Sequence, residues 1–413
     1  MTNRLPLDPI GREYARLAFG IERHVPGYID AWLGSDADRA ALEPDELPEP
    51  SVLLLGAGAL LDQVRALDAD AIRTGYLSTQ INAMMTTLRR LAGEDVPYRE
   101  EVSQLFDIAP SATPESVFEA AIADLNDLLP GEGSVAERMI AWRQQYAVSP
   151  AVAERLVDLI LPELKARAES IVDLDFAGDI EIRMVADKPW SGYNWFLGGG
   201  RSRVELNTDL PIYAYRLTDL LAHEAYPGHH TEHALKERLY TVHGLGEHSL
   251  QLINTPECVI SEGIATHAEE MIFSPEDLVR FRRETLYPAA GIDGDPEREI
   301  AIGAALHALR SVTGNAALLL HEECTSAEEV GAYLQRYGLS TEAEARNRLR
   351  FIADPLWRAY IFTYHAGYDL LAAWFDVLPE GERRAAYRTL LTEQVYPSQI
   401  AAWTAAAVTA TPP

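Results

Sequence analysis

Apolar residues recur at three- and four-residue spacing over 10–33, 51–93 and 98–107, with polar faces between them, and this period predicts helices. The longest apolar stretch, Ser51 to Leu61, is interrupted by glycines and reads as a buried helix. Thr113-Pro114-Glu115 has the form of a helix start: a capping hydroxyl, a proline in the first turn and an acid at the positive end of the dipole. A further helix is expected from Ser149-Pro150 to about Val172, with a kink at Pro162. The first 170 or so residues therefore read as an antiparallel helical array without a reactive cluster.

Near Asp179 the period changes from helical to alternating. Ile180, Ile182 and Met184 alternate with polar neighbours, as do Val204 and Leu206 beyond Gly198-Gly199-Gly200. A small antiparallel β-sheet over 179–207 is expected, carrying Tyr193, Trp195 and Phe196. The glycines lack the Lys-Ser/Thr of a phosphate loop and read as a mobile turn. Tyr193 and Trp195 read as packing for the sheet or a groove rather than substrate contacts. A helix starting near Pro211 follows, with Leu217, Leu220 and Leu221 on its buried side, and the chain is helical again from 250 onward. Asp293–Pro296 and Gly338–Thr341 are expected loops, and the C-terminal Ala/Thr/Pro tail is expected to fray. The fold class is mainly α with one small sheet, organised as a helical region 1–172 and a region 173–413 within one integrated domain.

Charge narrows the partners. Lys and Arg number 35 against 63 Asp and Glu, a net −28 spread along the chain, which disfavours nucleic acid and anionic lipid. Two cysteines, Cys258 and Cys324, are too few for a disulfide framework. The opening MTNRLPLDPIGREYARLAFG has no apolar signal core and no run reaches transmembrane length, so a cytoplasmic location is expected.

One stretch has the chemistry of an active centre. His223-Glu224-Ala225-Tyr226-Pro227-Gly228-His229-His230 crowds imidazoles round a carboxylate. Imidazole ligates zinc, and a glutamate beside a ligand can act as general base. The usual His-Glu-x-x-His pattern places both ligands one turn apart, but here Pro227 occupies the second position. Proline removes a backbone donor and clashes with the carbonyl four residues back, so Pro227-Gly228 should break or bulge the helix. A bulge would bring His229 to the vacant place. An unbroken helix would favour His230, about 10 Å further along the axis at 1.5 Å per residue. His229 is the preferred ligand, with His230 behind the ligands or facing substrate. Ser261-Glu262-Gly263 in the next helix supplies a third ligand, Glu262, and Glu269 reads as a hydrogen-bond partner of a ligating histidine. Zinc is the expected ion, though the donor set also suits manganese, cobalt or iron. His243, His248, His307 and His321 are scattered and read as structural or exposed.

The motif, followed by Glu262-Gly263-x-Ala265-x-x-Ala268-Glu269, resembles the bacterial domain of unknown function 885 family, which is related to the Taq-type zinc metallocarboxypeptidases. The resemblance covers residues 190 to 375 and implies a helical zincin with a deep groove. It makes His223 and His229 ligands, Glu262 the third ligand and Glu224 the base. Tyr360 to Gly367 is similar to the carboxypeptidases' Tyr-Phe-Pro-Thr-Tyr-x-x-Gly segment, which makes Tyr364 the oxyanion donor. Ile264 and His267 stand where the family usually carries Trp and Tyr. The expected activity is zinc-dependent cleavage of a peptide or peptide-like amide. The alternatives are a hydrolase of a non-peptide amide or ester, and a non-catalytic protein whose closed metal site binds both His229 and His230.

Overall fold

The computed structural model describes residues 5–67, 70–188, 192–209 and 211–410. Helices account for 65% of the chain, and the fold is mainly α. The periodic stretches become helices where local caps start them and end where tertiary pairing takes over. Helix Pro9–Glu22 begins at Asp8, whose side chain accepts from the Gly11 amide at 3.0 Å. It does not run on to 33: Ile29–Trp32 is a strand paired antiparallel with Leu250–Leu252. The 51–93 pattern divides into Pro50–Arg65 and Ala71–Leu91, the second capped by Asp70 on the Ile72 amide. The first of these is buried on one face only, since Val52 and Leu55 are 61% and 77% exposed.

Other expected starts hold in place, though not every expected cap does. Helix Glu115–Leu128 follows Pro114, but the Thr113 hydroxyl does not cap it; the Thr113 backbone exchanges two hydrogen bonds with the Asn315 side chain instead. Pro150–Ala168 is capped by Ser149 and continues through Pro162. At the C-terminus, Pro397–Ala410 is helical, and the final residues of the expected frayed tail lie outside the described residues.

The expected antiparallel sheet is a mixed one. Arg201–Asn207 is its central strand, parallel to Ile180–Val185 and antiparallel to Gly192–Gly198. From Ile180–Val185 the chain skips the central position to the far-edge strand Gly192–Gly198, and a hairpin returns it to the centre as Arg201–Asn207, parallel to the first strand. Its glycine turn is clamped rather than mobile. Gly198, Gly199 and Gly200 all have positive φ, conformations open to glycine at little cost. The amides of Gly199 and Gly200 donate to the two carboxylate oxygens of Glu237 at 2.8 and 2.9 Å. The helix after the sheet starts at Leu217, not near Pro211, because Ile212–Tyr213 pairs with Ala147–Val148 and Ala214–Arg216 forms a 3₁₀ turn.

The main core crosses residue 172 without division: Ile160, Leu164 and Leu174 pack in one cluster with Val204, Leu221, Ile264 and Leu371. A second cluster joins the N-terminal helices to Tyr240, Leu250 and Leu252. Arg73 ties the two regions, donating to Asp8 at 2.7 Å and to both oxygens of buried Glu247 at 2.8 and 2.7 Å. Among the described residues no helix is long and apolar enough to cross a membrane.

Candidate metal centre

The His-Glu helix, Leu217–Glu224, presses Leu217, Leu221 and Ala222 into the core and ends where proline requires. Ala225 turns the backbone out of helical space, and Pro227 has no amide to continue the ladder. The Gly228 amide folds back to the Ala222 carbonyl at 2.9 Å, and a new helix, His229–Thr241, starts at the next residue. The fold-back is so tight that a Cβ on Gly228 would lie 1.9 Å from the His223 carbonyl oxygen. Thr231 and Tyr387 hold the break: the Thr231 hydroxyl donates to the Ala225 carbonyl, and the Tyr387 hydroxyl reaches the carbonyls of Ile264 and Pro227 at 2.9 and 3.5 Å.

This break turns His229 back toward His223, with ring centroids 4.7 Å apart and planes nearly perpendicular. Helix Pro256–Ile272 supplies Glu262, whose Oε2 lies 3.6 Å from His223 Nε2 and 4.0 Å from His229 Nε2. One donor atom from each residue falls within 4.8 Å of the others. Tetrahedral zinc ligands at about 2.0–2.1 Å stand about 3.3–3.5 Å apart, so sub-ångström shifts would close the set on an ion. Glu262 Oε1 accepts from the Tyr360 hydroxyl at 3.0 Å, whereas Oε2 is buried without a hydrogen-bond partner. A buried carboxylate oxygen is costly to leave unpaired, and a cation held between it and the two imidazoles would pair it. The residues fit a divalent ion.

Close helix contact explains the position of Tyr360. Helix Ile361–Val377 crosses Pro256–Ile272 at Gly263 and Gly367, where a Cβ on Gly367 would meet the Val259 carbonyl oxygen at 2.4 Å. That contact carries the residue just before the helix, Tyr360, to Glu262. Tyr364 stands one turn on, 37% exposed, with its ring 5.7 Å from that of Tyr360. Although the ring is partly exposed, its hydroxyl end is desolvated, and this together with the charges of Glu262 and Glu224 keeps it protonated well above the usual tyrosine range.

Glu224 is buried at the end of its helix, with its backbone carbonyl accepting from Asn194 Nδ2 at 2.6 Å. Burial pushes its carboxyl up to about 7, against the pull of His229. His223 is driven well below the ordinary imidazole range by burial and by the neighbouring His229. Burial also opposes charge on His229, but the nearby carboxylates of Glu232, Glu262 and Glu224 outweigh it and push it up to about 9.

Two expected residues lie elsewhere. His230, turned about 100° from His229 on the new helix, is fully buried; its Nδ1 pairs with the Ser202 hydroxyl at 2.8 Å and its ring packs on Tyr226. It faces the sheet rather than substrate, so the closed arrangement with both His229 and His230 as ligands is not formed. Glu269 points to Arg282 at 3.4 Å and supports neither histidine. Seven residues past Glu262, about two helical turns along the axis, it lies beyond their reach. His267 stacks on Tyr368 and pairs with its carbonyl at 3.0 Å.

Several residues of the centre carry no motif. The support for His229 comes from Ser261 and Glu232, and that for His223 from the Ala265 backbone. From the N-terminal region, strand Ile29–Trp32 brings in Asp30, which accepts from the Tyr193 hydroxyl at 2.6 Å and lies within the field of His229. Glu232 falls three residues after His229, one helical turn, and that spacing was its only signal; Asp30 has none.

No family model and no curated protein matches the chain. Among solved structures, it is similar to a candidate lipoprotein from Colwellia psychrerythraea, at 16% identity and a TM-score of 0.55 over 90% of this chain and 72% of that one. It is also similar to a candidate lipoprotein of unknown function from Shewanella oneidensis, at 13% identity and a TM-score of 0.50 over 88% and 75%. At these identities the likeness is one of fold alone. A third structure, BsuCP, aligns over 97% and 98% of the two chains at 12% identity, but its TM-score of 0.46 bears no weight.

Proposed function

We propose that the chain is a zinc-dependent hydrolase of peptide or peptide-like amide bonds, with His223, His229 and Glu262 holding one ion. The observation that carries this reading is the convergence of these three donors on one point, with Glu262 Oε2 buried and unpaired. The resemblance of the motif to the domain of unknown function 885 family and the metallocarboxypeptidases supports the same choice. When bound, zinc polarises a carbonyl and acidifies water.

The chain's own groups supply the rest. Glu224 is adjacent in sequence to a ligand and is tuned by burial to about 7, close to the working range of a general base. It takes the proton of the attacking water and passes it to the leaving amine. Tyr364, still protonated and partly exposed beside Tyr360, donates to the carbonyl oxygen as negative charge develops on it. The central strand Arg201–Asn207 is paired on both sides, so an extended substrate would run along Gly192–Gly198, next to Glu224, rather than along the strand ending at Asn207.

A substrate panel tests the class. Zinc-loaded protein is incubated with free, N-acetylated and C-amidated peptides and with simple esters, and the products are read by mass spectrometry. Peptide cleavage that a chelator stops and zinc restores is the expected result. Turnover of esters alone would contradict the peptidase reading.

A further inference from the structure

We infer that Ser261 and Glu232 lock the His229 ring in the one tautomer that can present Nε2 to a metal. Each proton in this chain of contacts has a single place. Glu232 is 1% exposed in its side chain and is ion-paired through Oε1 to Lys236 Nζ at 2.6 Å, while Lys236 also reaches Glu257 at 3.4 Å. Held against the Lys236 ammonium in this buried position, Glu232 carries its charge. An ionised carboxylate only accepts hydrogen bonds. The 2.5 Å contact between Ser261 Oγ and Glu232 Oε2 therefore uses the serine's single proton.

Ser261 Oγ also lies 3.1 Å from His229 Nδ1, and with its proton committed to Glu232 it can only accept there. Nδ1 is therefore the protonated nitrogen of His229. Nε2, the atom 4.0 Å from Glu262 Oε2, is then the ring nitrogen left to give its lone pair to a metal. Lys236, Glu232 and Ser261 form a relay that fixes ring orientation and tautomer together, a task ligating histidines require of a neighbouring acceptor.

The same hydrogen bonds bear on a second cluster. His229, Glu232 and His233 also bring donor atoms within 4.8 Å of one another. A metal there would need a Glu232 oxygen free of Lys236 and Ser261, and the Nδ1 lone pair that the proton occupies. That cluster is the support of the first centre, not a second one.

Ser261 and Glu232 are thus positioning residues, and the inference rests on the metal reading above. It is tested by zinc affinity, read by competition with a chromophoric chelator in the wild-type chain and in Ser261→Ala, Ser261→Thr and Glu232→Gln. Ser261→Ala and Glu232→Gln are expected to weaken zinc by about 10–100-fold, and Ser261→Thr, which keeps the hydroxyl, to stay near wild type. Thermal unfolding of zinc-free Ser261→Ala should match the zinc-free wild type, which separates positioning from a folding defect. Wild-type affinity in Ser261→Ala, or equal weakening in Ser261→Thr, would overturn the relay. A wild-type chain that binds no zinc overturns the metal reading itself, and the relay with it.

Discussion

Glu224→Gln is expected to keep one zinc per chain and to hydrolyse peptide about 10²–10⁴-fold more slowly than wild type. The amide is nearly isosteric with the carboxyl, so the Asn194 bond to the Glu224 backbone carbonyl and the close approach of Gly192 to the side chain should persist. It cannot accept a proton from water. The loss should appear in kcat with KM little changed, because the group acts on the attacking water rather than on the bound peptide. Metal content and steady-state kinetics on one preparation check both halves. Retained activity with zinc in place would remove Glu224 from the role of base.

Gly228→Ala is expected to be the most damaging change that touches no ligand. The added methyl would lie 1.9 Å from the His223 carbonyl oxygen and 2.5 Å from that of Ala222, and both are backbone atoms that cannot swing aside. Relief requires the two helices to move apart, which carries His229 away from His223. Overpacking of this kind costs ~1–3 kcal/mol in ordinary cores, and here the displacement falls on a ligand. Zinc affinity should fall by at least an order of magnitude, the equivalent of about 1.4 kcal/mol. Titration of the purified variant with zinc checks this. Wild-type affinity would mean that the tight fold-back does not set the ligand geometry.

These two residues mark what the sequence could and could not convey. The helical period, the strand alternation and the meaning of Pro227-Gly228 were legible because each is local: a proline without an amide ends a helix wherever it stands. So was the meeting of His223 and His229, which flank the break, with Glu262 from the following helix. The sheet was legible in place but not in pairing, because alternation reports which faces are buried and not which strand lies in the middle. Glu269 was misassigned by assuming that an acid near the ligands in sequence supports them; two turns along the helix it meets Arg282. His230 was misassigned because consecutive helical residues point about 100° apart, and the core claimed its ring through Ser202. Asp30 was beyond reach, since strand Ile29–Trp32 exists only through its pairing with Leu250–Leu252, more than 200 residues away. Tyr360 was read as part of a motif, but its bond to Glu262 depends on the Gly263–Gly367 crossing, a tertiary fact.

The measurement closest to the central proposal is metal content per chain, by elemental mass spectrometry, for wild type and His223→Ala purified without chelator and re-equilibrated with zinc. One zinc per wild-type chain, and none retained by His223→Ala after desalting, is the expected result. A wild-type chain free of any zinc-class metal after add-back, or a His223→Ala chain that holds as much as wild type, would contradict it.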